Sequence, residues 1–300
     1  MSLTDNNIKR NHHGLHSNSC PICYCDGRIL RYVAQKDDFL ILKCPSCGLQ
    51  FVAECRDIDL SLLNEFYSKT YFENDNGVFY ENYGDDEVVH RRFALFILER
   101  LRLLLLPLDI SNLSLLDVGC AYGFFLDEAR KIGMRTGGIE VSDYARTIAS
   151  EKFGLAVYRS WEALSEKESR FDVVTFLGVL EHLPDPEYQV KLAHGHLKSG
   201  GVFVCTTLQV DSLFPFTFKP PEHLYYFSSK SLRILFARNG FDIISKKRYL
   251  GYFSLGRFVT LLINTFHIHN RVFMLLKERF GRISIRAPSN EVLIVARKRQ

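Results

Sequence analysis

The 300-residue sequence predicts an α/β protein, a sheet of mostly parallel strands with helices on its faces, preceded by a small cysteine-rich module. Three observations carry that expectation. Beyond Pro107 short apolar runs alternate with helical stretches, those stretches bear start and stop residues, and six of the eight cysteines fall between positions 20 and 55.

Composition sets the outer bounds. With 47% hydrophobic and 24% charged residues the chain has globular make-up, which excludes disordered, collagen-like and integral-membrane classes. No apolar run approaches the roughly 20 residues of a membrane span: 103–106 is closed by Pro107, and 258–263 follows Arg257. Residues 1–19 lack a signal-peptide pattern, so a cytoplasmic protein is expected, with a disordered tail that includes His12, His13 and His16. The net charge of +4 hides an asymmetry, because residues 241–300 hold 12 Lys or Arg against 3 Asp or Glu. Such a block attracts phosphate, nucleic acid or an anionic membrane, or is simply a solvated face.

In chain order the cysteines come first. CPIC at Cys20 and Cys23, twenty residues, then CPSC at Cys44 and Cys47 make a C-x2-C-x20-C-x2-C pattern. Zinc takes four soft ligands in a tetrahedron, and each C-x2-C knuckle folds two thiolates onto one point, with Gly48 suiting the turn. Residues 20–60 are therefore expected to form a zinc ribbon around a structural Zn2+ held by Cys20, Cys23, Cys44 and Cys47, with two strands joined near 36–38. Cys25 and Cys55 are spare thiols, and Cys25 is the first substitute for one of the four.

Residues 61–107 read as a helical and aromatic cap. Phe66, Tyr67, Tyr71, Phe72, Phe79, Tyr80 and Tyr83 precede a helix whose apolar face is Val89, Phe93, Phe96, Ile97, Leu101 and Leu104. The core, 108–300, follows with strands at 115–120, 136–141, 155–158, 171–177, 201–206, 241–249 and 291–297. Asp143 opens a helix closed by Gly154, Asp185-Pro186 opens one ending near Gly200, and Ser229 opens one closed by Gly240. An insertion, 251–288, separates the last two strands. Its apolar stretches interleaved with basic residues suit a substrate lid, a dimer face, an interfacial helix pair or plain packing.

The first core strand runs into LLDVGCAYGFFL, where Gly119 and Gly123 bracket a turn that opens a helix. Glycines let backbone approach a ligand and the helix N-terminus supplies N–H groups, so this is a nucleotide-binding turn. It is not the dinucleotide fingerprint, which would need glycine in place of Ala121 and of Phe124. Glu140 ends the second strand 21 residues after Gly119, where a carboxylate can accept from two ribose hydroxyls.

With FDVVTFLGVLEHLPDP and LKSGGVFVCTT added, the sequence resembles the class I S-adenosylmethionine-dependent methyltransferases over about residues 85–300. The resemblance implies a Rossmann-like methyltransferase sheet with helices on both faces, its seven strands ordered 3-2-1-4-5-7-6 and the seventh antiparallel. It implies S-adenosyl-L-methionine as cofactor, with Asp117, Gly119, Cys120, Ala121 and Gly123 at its methionine part and Glu140 at the ribose. Ser160 and Trp161 would border the adenine, and Leu177, Gly178 and Val179 would line the floor. Ala121 departs from the pattern, since many members have glycine there.

The cysteine knuckles, the tyrosine-rich stretch and PPEHLYYFSSKSLRILFARNGF extend the similarity to sugar C-methyltransferases and to methyltransferases of polysaccharide and natural-product pathways. Sugar C-methyltransferases use a Glu-His pair with the His as base, and Glu222-His223 matches it. Methyl transfer from a sulfonium is an in-line displacement, which asks the protein to position two reactants, exclude water and remove a proton. A histidine titrating near neutrality suits that task. His223 is the candidate base, Glu222 its neighbour, and His182 a second base or a contact at the cofactor edge. The favoured acceptor is a small molecule, a nucleotide-linked sugar or glycan intermediate. A quinone or lipid-linked precursor met at the membrane surface is the first alternative. RNA follows, though no aromatic-interleaved basic strand of an RNA reader is present, and a catalytically inert zinc-ribbon interaction module comes last.

Overall fold

Residues 19–55, 66–73, 83–164, 170–211, 218–256 and 283–300 are described by the computed structural model, together with Val259, Leu275 and Phe280. The strands are β1 (Arg31–Lys36), β2 (Phe39–Lys43), β3 (Gln50–Val52), β4 (Ser114–Val118), β5 (Arg135–Ile139), β6 (Val157–Tyr158), β7 (Phe171–Leu177), β8 (Leu197–Leu208), β9 (Tyr225–Tyr226), β10 (Phe241–Ser254) and β11 (Ser284–Lys298). The α-helices are α1 (Lys69–Phe72), α2 (Glu87–Leu105), α3 (Phe124–Lys131), α4 (Asp143–Phe153), α5 (Pro186–His196) and α6 (Ser229–Arg238).

Seven strands form the central sheet in the order β10-β11-β8-β7-β4-β5-β6. Numbered within the core, that is the expected order, and β11 runs antiparallel to both β8 and β10. Every residue of β4 is buried, as a central parallel strand covered on both faces requires. Alternate side chains feed two apolar clusters. Leu116, Val174, Phe176 and Phe203 pack on one face with Phe236, and Leu115, Val173 and Val204 pack on the other beneath Leu98 and Leu101 of α2. Arg91 of α2 lies 2.7 Å from the buried carboxylate of Asp127 and also pairs with Glu87 and Glu128, which ties α2 to α3.

Helices α4 and α6 begin at Asp143 and Ser229 as expected, each with its cap one residue earlier. Ser142, not Asp143, caps α4 by accepting from the Ala145 N–H, and Ser228, not Ser229, closes a capping box with Ser231 on α6. Asp185 caps α5 as expected, with Pro186 in its first turn. That helix stops at His196 and β8 starts at once with Leu197, so Gly200 lies within a strand and not at a helix end. The largest correction concerns the insertion. β10 and β11 continue as a paired ribbon through Gly251↔Ala287 to Ser254↔Ser284, so both ends of 251–288 are strand. Apart from Val259, Leu275 and Phe280, residues 257–282 lie outside the described residues, as do Phe79, Tyr80 and the tail histidines. Among the described residues no helix is long and apolar enough to cross a membrane.

The basic C-terminal block is partly engaged by this ribbon and its neighbours α5 and β8. Lys298 donates to the carbonyls of His194 and Leu197, Arg299 pairs with Asp242, and the Arg286 guanidinium lies over the Tyr252 ring.

The sequence has Phe124 where a third glycine would allow a helix to approach its strand. Here the close approach is supplied from the sheet. Gly138 of β5 lies under the turn and α3, and a Cβ there would fall 2.7 Å from Cys120 Sγ and 2.8 Å from Leu126 Cδ1. Gly138→Val should therefore overpack this seam and lower the unfolding free energy by about 1–3 kcal/mol. Chemical denaturation measures this, and an unchanged midpoint would show that the seam has slack.

Candidate active site

β4 ends in a turn built from left-handed residues, with Gly119 at φ +73°, Ala121 at +47° and Gly123 at +80°. Alanine pays about 1–2 kcal/mol for that conformation, and a carboxylate holds it in place. Glu140 Oε2 accepts from the Ala121 N–H and Oε1 from the Ser142 N–H, each at 2.9 Å. Burial pushes the Glu140 carboxyl up, while the two amides pull it back toward the ionised form. At Gly119 a Cβ would fall 2.5 Å from Val179 Cγ2, so this position admits no side chain.

Beneath the turn, Asp117 is buried and accepts from Thr175 Oγ1 at 2.5 Å. Burial raises its carboxyl to about 7 against the pull of that bond, and the nearby Glu140 adds to the rise. The Cys120 thiol is also buried and pushed up. Leu177 ends β7, and Gly178 at φ +68° faces open space, with no atom within 4 Å of its Cβ direction. Asp117, the 119–123 turn, Glu140 and Gly178 thus gather at the carboxyl ends of β4, β5 and β7, where the strand order reverses and α/β sheets bind ligands. Trp161 is fixed by two contacts. Its indole N–H donates to Gln189 at 2.8 Å and its ring stacks on His196.

A second cluster stands at the same edge. His182 follows β7 and donates from Nδ1 to the Glu222 carbonyl at 2.8 Å, which leaves Nε2 as an acceptor. Its ring meets that of His223 edge-on at 4.7 Å between centroids, and Glu181 offers a carboxylate oxygen within 4.8 Å of both imidazoles. Nδ1 of His223 is buried and has no hydrogen-bond partner among the described residues. Burial lowers His182 to about 4, and it lowers His223 to about 2 with help from His182 and Lys219. The expectation of an imidazole titrating near neutrality is therefore corrected, since both rings are neutral there.

Within this cluster the group that titrates closest to neutrality is Glu181, raised to about 8 by burial even though Thr207 Oγ1 donates to it at 2.8 Å. Sequence reasoning passed over Glu181. The available signal was its place beside His182 in LEHLPDP, a carboxylate in an apolar setting. The Glu222 carboxylate accepts from the Tyr71 hydroxyl at 3.3 Å.

Aromatic side chains link the two clusters. The Tyr67 ring lies 6.4 Å from that of His182 and 4.8 Å from that of Tyr71, and Phe72 stacks on Tyr122 of the glycine turn at 5.2 Å.

All eight cysteines are free thiols. Sγ of Cys20 lies 3.6 Å from Cys47, and Sγ of Cys44 lies 3.5 Å from Cys23 and 3.2 Å from Cys25. Four thiolates about a zinc at roughly 2.3 Å stand about 3.8 Å apart, so the donor chemistry and spacing fit that metal. Cys20, Cys23, Cys25 and Cys44 all lie within 4.8 Å of one another, which brings a fifth thiol, Cys25, into the expected set of four. The Cys20 thiol is held down to about 5, chiefly by its bond with Cys47.

A family model described as a methyltransferase domain matches residues 88–246, more than half of the chain. Among curated proteins, a ubiquinone biosynthesis O-methyltransferase of Cereibacter sphaeroides is 35% identical over 108 residues, 34% of this chain and 44% of that protein. One of Ruegeria pomeroyi is 34% identical over 104 residues, 33% of this chain and 42% of that protein. The similarity thus spans less than half the length of these relatives. Among solved structures, Burkholderia thailandensis 1,6-didemethyltoxoflavin-N1-methyltransferase, bound to 1,6-didemethyltoxoflavin and S-adenosylhomocysteine, superposes with a TM-score of 0.52 at 14% identity, over 90% of this chain and 100% of that one. At that identity the likeness concerns the fold alone. Fold, strand order and family model agree, and the chain belongs to the methyltransferase-domain family, on a sheet of the class I S-adenosylmethionine-dependent type.

Proposed function

We propose that the chain transfers the methyl group of S-adenosylmethionine to a small-molecule acceptor. The observation that carries this reading is the convergence of the glycine turn and the Glu181–His182–His223 cluster on one sheet edge beneath shared aromatics. Residues 119–123, with Asp117 below, would hold the methionine part. Glu140 has used one lone pair on each oxygen for backbone amides, which leaves acceptor capacity for ribose hydroxyls. Leu177 and Gly178 would form the floor, and Trp161 with Ser160 an outer border. When bound, the cofactor supplies an electrophilic methyl on a sulfonium. His223, neutral across the working range, accepts the proton of the acceptor, and Glu181 stabilises the imidazolium that results.

The relatives favour an O-methylated acceptor of quinone-precursor type over the nucleotide-linked sugar that the Glu222-His223 match places first. Engagement of Lys298, Arg299 and Arg286 by groups of the core also weakens the case for a diphosphate there. We read residues 20–60 as a zinc ribbon, 61–107 as cap and 108–300 as core, with a structural Zn2+ on Cys20, Cys23, Cys44 and either Cys47 or Cys25.

Three outcomes are expected. Calorimetry should show S-adenosylmethionine or its demethylated product binding with a micromolar-order constant, and Gly119→Arg should abolish the heat. Binding retained by that variant would displace the donor site from the turn.

Turnover, assayed with a catechol-type quinone precursor and with a nucleotide-linked sugar, should rise with pH through about 8, because Glu181 ionises there while both imidazoles are already neutral. Glu181→Gln should flatten that limb. His223→Asn should lower the chemical step by roughly 10²–10⁴-fold and leave donor affinity alone. Full turnover in His223→Asn would remove it from the reaction.

Metal analysis should return one zinc per chain, and Cys44→Ser should loosen residues 20–55 while the central sheet stays folded. A metal-free protein with an intact module would refute the ribbon.

A further inference from the structure

We infer that the cysteine module is a positioning element of the acceptor site, because its strand β3 clamps the segment that carries Glu222 and His223. The inference rests on the methyl-transfer reading and adds a division of labour to it, in which the module serves the acceptor half and not the donor half.

Leu224, the residue after His223, stands between two bodies. Its N–H donates to the Glu181 carbonyl at 2.8 Å, and its own carbonyl accepts from the Val52 N–H of β3 at 2.9 Å. The pairing continues with Phe51↔Tyr225 and Gln50↔Tyr226, so β9 forms the edge of the module's sheet although it lies about 170 residues further along the chain. A third contact comes from the knuckle itself. Ser228 Oγ donates to the Cys47 carbonyl at 2.5 Å, and Ser228 packs on the space that a Cβ on Gly48 would fill. Phe51, Tyr225, Tyr226 and Phe227 are fully buried at this seam. Tyr24 adds an outer anchor, donating to Glu187 of α5 while the Arg238 guanidinium of α6 lies over its ring.

The donor turn is held differently. Gly119, Cys120 and Ala121 bond to Ile139 and Glu140, and Gly119 and Gly123 abut Val179, Leu155 and Ala149, all residues of the core. Loosening the module therefore displaces the Glu222–His223 segment and spares the turn. His223 reports the displacement. The titratable or charged groups that face it are His182, Glu181, Glu222, Lys219 and Tyr226, and desolvation at this seam is what keeps its ring neutral.

The experiment compares the full chain with Val52→Pro, which deletes the N–H that Leu224 accepts, and with Val52→Ala, which keeps it. Phe51→Leu, a milder change that thins the cross-strand pair with Tyr225, covers the case in which the proline variant fails to fold by circular dichroism. Affinity for S-adenosylhomocysteine, turnover and the C2–H resonance of His223 against pH are followed in each. Val52→Pro should keep S-adenosylhomocysteine affinity and lose about 10²-fold in turnover, the scale of a misplaced reacting group. Its His223 should titrate toward the ordinary value of about 6.5, where burial lowers the parent ring to about 2 and keeps it neutral across the working range. Phe51→Leu should show the same asymmetry at smaller size, and Val52→Ala should restore the parent behaviour. Unchanged turnover with a silent His223 in a folded Val52→Pro would overturn the inference, as would parallel loss of donor affinity and turnover. If the parent neither binds S-adenosylhomocysteine nor turns over, the methyl-transfer reading fails. The His223 titration then still decides whether β3 clamps the segment.

Discussion

One carboxylate holds two chain segments in register, and the proposed donor half of the site depends on it. Glu140 takes the Ala121 amide from the turn after β4 and the Ser142 amide from the start of α4. It can do so because β4 and β5 are parallel neighbours with Val118 opposite Ile139, which sets Gly119 and Glu140 at one height. Once that height is fixed, the chain must turn within a few residues to start α3, and the left-handed conformations at 119, 121 and 123 follow from the lack of room. Gly138 beneath Leu126 lets the helix settle onto the sheet. The turn is thus determined less by its own glycines than by what the adjacent strand offers it.

Much of this was legible in the sequence because it is local. Apolar runs bounded by Gly, Pro and Asp gave the core strands and helices, and the resemblance supplied their order, which composition alone cannot. The misreadings share a cause. The sequence reading bounds an insertion at Gly251 and Pro288, yet both lie in a ribbon. Before Glu291, β11 pairs with β10 alone, and a strand with one partner tolerates proline. Cys25 was placed only as a substitute ligand because its return to Cys44 depends on the turn at Tyr24, a left-handed residue without a glycine to announce it. β9 is two residues long, and nothing near Tyr225 indicates that its partner is Phe51. Pairings between distant segments leave no periodic trace, and the acceptor half of the site is made from them.

That contrast divides the site in physical terms. The donor half draws on consecutive elements of one parallel sheet, so a single stretch of sequence carries most of its geometry. The acceptor half joins a short turn after β7, a loop before β9 and the aromatic segment at 66–73, with the cysteine module bracing the loop from outside. Selectivity for an acceptor can then change through any of these parts while the donor turn stays constant.

Burial acts on the proposed chemistry in two opposing ways. When a methyl group leaves a sulfonium for an oxyanion, opposite charges cancel on the way to product, and a site poor in water favours that cancellation over the separated ions. The aromatics at Tyr67, Tyr71 and Phe72 and the seam at Tyr225 and Phe227 serve this end. The same dryness depresses both imidazoles, which makes each a poorer base than a solvated histidine. Glu181 resolves the conflict. Within 4.8 Å of both rings and fully enclosed, its carboxylate attracts an adjacent imidazolium far more strongly than it would in water, so the environment that weakens the base also strengthens the ion pair formed once the proton arrives. At neutrality Glu181 is protonated and this cluster carries no net charge; once ionised, its carboxylate stands where the developing positive charge needs a partner.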